Sequence, residues 1–278
     1  MIKNRYKLDE IIWPKTPFIL EDHLFLAAKR GSESHNTYVP STDPNSVDDR
    51  DIMAICIPPE SYYLGLEIWE HSEEINGCWD VVVYEYRKFI RLLCKQNPNV
   101  LGMLWLRPED YIYQSSFFNL LVANRHIFMS KTGVYNSFVG YAKGQEHKMM
   151  NNACQGYMGD KRKKLVSKFG YDTKNAAHVI RLLHMGQEFL ETGKLNVWRT
   201  WDRDMLVDIK TGGWALEEVK KYINDCFLRT KELYEKSDVP DTVDLELVND
   251  IVVKTISRTL EHNRFFGKQL FQHTQEDE

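Results

Sequence analysis

Asp48-Asp49-Arg50-Asp51 runs directly into the apolar stretch Ile52-Met53-Ala54-Ile55-Cys56-Ile57, and Pro58-Pro59 stops it. From Asp51 onward the run reads as a strand, with carboxylates at its mouth. The period of two places Asp49 and Asp51 on one face. Strands disfavour aspartate, and two like charges side by side repel unless something positive sits between them. A divalent cation is the obvious neutraliser, and hard oxygen donors favour Mg²⁺. The plainer alternative is an acidic turn whose charges are solvated.

Two more strands belong to the same half. Residues 24–28 are short, apolar and followed by Gly31; residues 79–84 are β-branched and aromatic. Between the first two strands, 31–47 is rich in Ser, Thr, Asn, Asp and Pro and reads as loop. After 79–84 the spacing of Phe89, Leu92, Leu93 and Gln96 turns helical, and Asn97-Pro98 ends that helix. Beyond residue 130 the periodicity predicts helices over 138–151, 174–191, 215–237 and 245–266. The expected architecture is α/β: a mixed-sheet core over 1–140 with a helical C-terminal domain over 141–278.

The balance of 36 Lys plus Arg against 40 Asp plus Glu gives a net charge of −4, so nucleic acid could be held only by a local patch. Five scattered cysteines without a C-x-x-C pair read as reduced thiols of a cytoplasmic protein, not as a zinc site. The first residues lack the apolar core of a signal peptide, and no run approaches the length of a membrane span.

Further parts fit phosphoryl chemistry. Asp80 opens the third strand and supplies a third carboxylate beside the other two, with Glu85 as a rival near that strand's end. The Gly31-Ser32 turn after the first strand can aim backbone N–H groups at phosphate oxygens. Two-metal transfer needs such a set, one ion activating a hydroxyl and the other steadying the leaving pyrophosphate. Neither a Walker P-loop nor G-x-G-x-x-G occurs, so kinase and Rossmann readings lack support. Lys174, His178, Arg181 and Glu188 fall on one face of a helix, opposite Ala176, Ile180, Leu183 and Leu190. The cations of that face form a phosphate site if turned inward, and a solvated surface if not. Lys161-Arg162-Lys163-Lys164, with Lys168 nearby, is the dense basic run, and Tyr157, Phe169 and Tyr171 beside it could stack bases. Past Pro240, Val248, Ile251, Val252, Ile256 and Leu260 suggest a docking helix; residues 273–278 read as a frayed tail.

Gly31-Ser32, Asp49-x-Asp51 and Asp80 together resemble the DNA polymerase β superfamily of nucleotidyltransferases. The chain is most similar to its RNA-ligase-associated, RNA-repair branch, through Tyr84-Glu-Tyr-Arg-Lys-Phe89, Asn97-Pro-Asn-Val-Leu101, Ser137-Phe-Val-Gly-Tyr-Ala142 and the long block from Gly170 to Leu183, continuing to Glu188 and Thr192-Gly193. Three positions depart from that pattern: a longer interval from Gly31 to Asp49, Gly102 in place of Glu, and Asp48 in place of Ser. The resemblance implies transfer of a nucleotidyl group from an NTP to a hydroxyl acceptor, with Mg²⁺ or Mn²⁺ held by Asp49, Asp51 and Asp80. It also implies that Lys174, His178 and Arg181 contact the triphosphate, opposite Gly31 and Ser32, and that the acceptor is an RNA end. A protein side chain as acceptor, of the toxin–antitoxin kind, or an inactive nucleotide- or RNA-binding partner are the alternatives.

Overall fold

The computed structural model describes residues 7–46, 48–150 and 160–266, with the backbone alone at 150, 160, 161 and 266. Five strands form one mixed sheet in the order β3-β4-β2-β1-β5. They are β1 (Leu24–Lys29), β2 (Arg50–Cys56), β3 (His71–Asn76), β4 (Trp79–Glu85) and β5 (Tyr111–Gln114). The apolar run after Asp51 becomes the central strand because all of its residues are shielded: 52–56 are at most 1% exposed. β2 pairs antiparallel with β1 and parallel with β4.

The alternation along β2 sorts its side chains between two layers. Met53 and Ile55 join the main core with Phe25 and Val82, packed against the helices. Ile52, Ala54 and Cys56 face the other way, onto Ile11, Leu20, Trp13 and Phe18 of the N-terminal segment.

Short helices α1 (Gly31–Ser34), α2 (Ser61–Leu64), α3 (Tyr86–Cys94), α4 (Pro98–Leu101) and α5 (Phe118–Ala123) thread the sheet. The helical half follows as α6 (Lys131–Met150), α7 (Asp160–Phe169), α8 (Thr173–Thr192), α9 (Arg203–Thr211), α10 (Leu216–Lys236) and α11 (Leu245–Phe266). α6 carries the chain across residue 140 without a break. α8 is the hub: Asp172 caps its start by accepting from Asn175 N at 3.1 Å, and Gly193 ends it at φ 67°. α8 packs on α6, α9 and α10. Among the described residues no helix is long and apolar enough to cross a membrane.

Several expectations need correction. The stretch after β1 begins as one helical turn, α1. α6 starts seven residues before the predicted 138, and its far end at 151 lies outside the described residues. α3 stops at Cys94, and Pro98, expected only as a terminator, opens α4, where its missing N–H costs nothing. β3, β5, α7 and α9 were absent from the sequence reading. Tyr157, Cys154 and the tail at 273–278 lie outside the described residues.

Candidate active site

A cleft of about 240 Å³ opens where the end of β1, α1 and the start of β2 meet α8 and α9. One wall carries Gly31, Ser32 and Asp51; the other carries Lys174, His178, Arg181 and Lys210.

The acidic wall depends on a glycine. Gly31 stands at φ 64°, and a Cβ built there would lie 2.0 Å from Asp51 Oδ2. A side chain would therefore be strained in backbone and would strike the carboxylate. Arg30 N donates to the Asp51 carbonyl at 2.9 Å, fixing the turn to the strand. Parallel pairing sets Asp51 directly beside Asp80. Asp80 Oδ1 accepts from Arg30 Nη2 at 2.7 Å. Burial pushes the Asp51 carboxyl up to about 6; Arg30 and Lys174 pull against it, and the charges of Asp80 and Asp49 add to it. Asp49 precedes β2 and is exposed. Glu85 stands at the far end of β4, opposite Cys56. There it caps α3, accepting from Lys88 N at 2.9 Å and Tyr63 Oη at 3.0 Å. It is remote from the aspartates.

The cationic wall is supplied by α8 and α9. Asp48, adjacent to the acidic pair, is a buried counter-ion. Its Oδ2 takes Lys210 Nζ at 2.5 Å and Val39 N at 2.8 Å, and its Oδ1 lies 3.7 Å from Lys174 Nζ. Lys210 Nζ also donates to Thr37 O at 2.9 Å. Burial lowers the Lys210 pKa, and Asp48 opposes the shift. Arg181 is 8% exposed and donates to Met185 Sδ at 3.1 Å. The nearby Asp202 is already held by Arg199 at 2.9 Å, and burial together with Arg199 pushes Arg181 down to about 9. His178 and His35 are both driven well below the usual imidazole range by burial and then by Arg181. His178 Nε2 and Ser32 Oγ are buried with no hydrogen-bond partner. Buried cations and unsatisfied polar atoms around one cavity make a surface that a multiply charged anion would complete.

The donor chemistry of Asp49, Asp51 and Asp80 suits a hard divalent cation. Among the described residues, no three His, Cys, Asp or Glu side chains converge as a closed ligand set.

The fold therefore brings Gly31, Ser32, Asp51, Lys174, His178 and Arg181 around one cavity; Asp49 and Asp80 stand at the strand ends beside it and outside its lining. Glu188 keeps to the same helical face but lies two turns beyond Arg181, outside the cleft lining, where it binds Arg199 at 2.6 and 2.8 Å. Within the basic run, Arg162 is tied to Asp172 at 2.7 Å. Lys163 and Lys164 are exposed, and Lys168 donates to Asn45 at 3.1 Å. Sequence reasoning missed Arg30, His35 and Lys210. No local pattern marks them, since each acquires its role from a distant segment.

The chain matches the RlaP family, described as the RNA repair pathway DNA polymerase beta family, over residues 8–254. Among solved structures it is similar to a nucleotidyltransferase-like protein from Exiguobacterium sibiricum, with 10% identity over 77% of this chain and 69% of that one and a TM-score of 0.27. No curated protein matches the chain.

Proposed function

The chain belongs to the RNA repair pathway DNA polymerase beta family, and from that premise we propose that it transfers a nucleoside monophosphate from an NTP to a hydroxyl at an RNA end. The acceptor oxygen bonds to the α-phosphorus as the bond to the β-phosphate breaks, and pyrophosphate leaves. Asp49, Asp51 and Asp80 offer the oxygen donors for Mg²⁺ or Mn²⁺, and a divalent cation bound there would acidify the acceptor hydroxyl and neutralise the leaving pyrophosphate. Lys174, His178 and Arg181 hold the β- and γ-phosphates from one side, and the Gly31-Ser32 turn from the other. Asp80, oriented by Arg30, receives the acceptor proton on its carboxylate.

One observation carries this reading. Arg181, His178 Nε2 and Ser32 Oγ are buried around the cavity that also contains Asp51, and two of these polar atoms have no partner within the protein. An inert structural core would have satisfied them.

The test uses the full chain, each α-labelled NTP, Mg²⁺ or Mn²⁺, and either an RNA oligonucleotide or a protein extract. The expected result is label on RNA, released pyrophosphate, and no transfer by Asp51→Asn. Label confined to protein would move the acceptor to a side chain. Absence of transfer under every combination would overturn the reading.

A further inference from the structure

The chain has seven tryptophans in 278 residues. Three of them, Trp105, Trp198 and Trp201, line an open groove of about 440 Å³ with Arg125 and Lys194. Trp201 is 65% exposed. Cations lie over the indoles: the Arg107 guanidinium is 3.0 Å from the Trp198 ring centroid, and that of Arg125 is 3.9 Å from Trp105. Trp201 rests on His184, with centroids 4.7 Å apart, and is pinned by donation to Glu188 at 2.6 Å. Trp105 and Trp198 are half-buried, and Arg107 is itself held by Asp110 and Glu109. The exposed Trp201 indole, with Arg125 and Lys194 in the same groove, is the chemistry that stacks a base and accompanies a phosphate backbone.

The groove is held by a network of hydrogen bonds and adjoins the cleft. Arg199, 1% exposed, anchors the loop that carries Trp198 and Trp201 through bonds to Glu188 and Asp202. That loop is stitched to the segment after the Gly31-Ser32 turn: Asn36 Nδ2 donates to Arg199 O at 2.9 Å, Arg199 N donates to His35 O at 3.2 Å, and His35 Nδ1 lies 3.1 Å from Val197 O. Val197 lines both the groove and the catalytic cleft.

We propose that this tryptophan–arginine groove is a strand-binding site that stacks unpaired nucleotides of the acceptor RNA and leads its terminal hydroxyl toward Asp51. The assignment rests on the reading that the acceptor is RNA. It places the strand contacts in this groove, independently of the Lys161-Arg162-Lys163-Lys164 run. An acidic protein segment would answer the cations and leave the exposed Trp201 indole unused, so the chemistry favours nucleic acid.

The test measures binding of an eight-nucleotide oligoadenylate to the full chain by tryptophan fluorescence quenching. An abasic ribose-phosphate strand of equal charge and a polyglutamate peptide serve as controls, and NTP affinity is measured separately by calorimetry. Trp201→Ala removes an exposed ring, and thermal melting verifies its fold. It should weaken oligoadenylate binding about 5- to 150-fold, the loss of one stacked base. Trp201→Phe should restore most of the affinity, and NTP binding should be unchanged in both variants. The abasic strand should bind wild type markedly more weakly than oligoadenylate. Equal binding of the abasic strand, full displacement by polyglutamate, or wild-type RNA affinity in Trp201→Ala would each overturn the groove while leaving the transferase reading intact. Loss of NTP binding by the wild-type protein would instead count against the transferase reading.

Discussion

Lys210 and Asp48, 162 residues apart in sequence, meet at 2.5 Å beside the acidic strand. The Asp48 side chain is fully buried and is shared with Lys174. In the proposed reaction Lys210 would keep hold of Asp48 while Lys174 turns to a phosphate.

Removing Lys210 leaves the buried Asp48 carboxylate with Lys174 at 3.7 Å and Val39 N as its remaining partners. Lys210→Met should therefore destabilise, by less than the roughly 3–5 kcal/mol of a buried charge left wholly unpaired. Asp48→Asn keeps an acceptor for Val39 N, and combined with Lys210→Met it should recover part of that loss. Urea unfolding of both single variants and the double variant measures the coupling. Strictly additive losses would show that the two residues do not stabilise each other.

Arg181 presents the opposite case, a buried cation with no carboxylate of its own. Arg181→Met should leave the melting temperature unchanged or raised, because a desolvated charge is removed. NTP affinity should nevertheless fall roughly ten- to a hundredfold, matching one charge-assisted contact of about 1.5–3 kcal/mol. Calorimetric titration beside thermal melting checks both. A destabilised variant with unaltered NTP affinity contradicts the assignment.

Gly31 has no room for a methyl group. Gly31→Ala imposes a left-handed backbone on alanine, about 1–2 kcal/mol, in addition to the clash with Asp51. Transfer should drop with stability. In the Gly31→Ala, Asp51→Ala double variant the stability loss should shrink toward the backbone cost alone. If the loss is the same with and without Asp51, the contact is not what makes glycine necessary.

The raised carboxyl of Asp51 links stability to pH and metal. A folded pKa of about 6 against 3.8 means the folded chain binds the extra proton between these values. Stability therefore declines as pH rises through that window, by up to about 3 kcal/mol. At pH 7.5, Mg²⁺ should raise the melting temperature, and at pH 5 it should do so far less, because the bound carboxylate must be ionised. Asp51→Asn should be more stable than wild type at pH 7.5 without Mg²⁺ and should lose the Mg²⁺ response. A Mg²⁺ shift of equal size at both pH values would contradict the coupling.

What the sequence disclosed follows from how local its signals are. β2 was legible because an apolar run and its carboxylates are contiguous, and α8 because its period persists over five turns. β3 was not: His71-Ser-Glu-Glu-Ile-Asn76 is an exposed edge strand with no apolar face to betray it. α7 was hidden by its basic composition, and α9 by its shortness. Within the site, Asp51, Gly31 and the α8 cations belong to contiguous motifs. Lys210, His35 and the Arg199 clamp depend on segments brought together only by folding. Asp48 was visible as a carboxylate, but its pairing with lysine was not.

The seam between residues 35–48 and 197–210 bears on how the cleft can move. His35–Val197, Asn36–Arg199, Arg203–Asn36, Lys210–Thr37 and Lys210–Asp48 are hydrogen bonds closing one side of it. Parting that side means exposing several of them at once, so the two walls travel as a single plate. The cleft is therefore a pouch and not a pair of jaws, and any widening that admits a nucleotide must leave this seam closed.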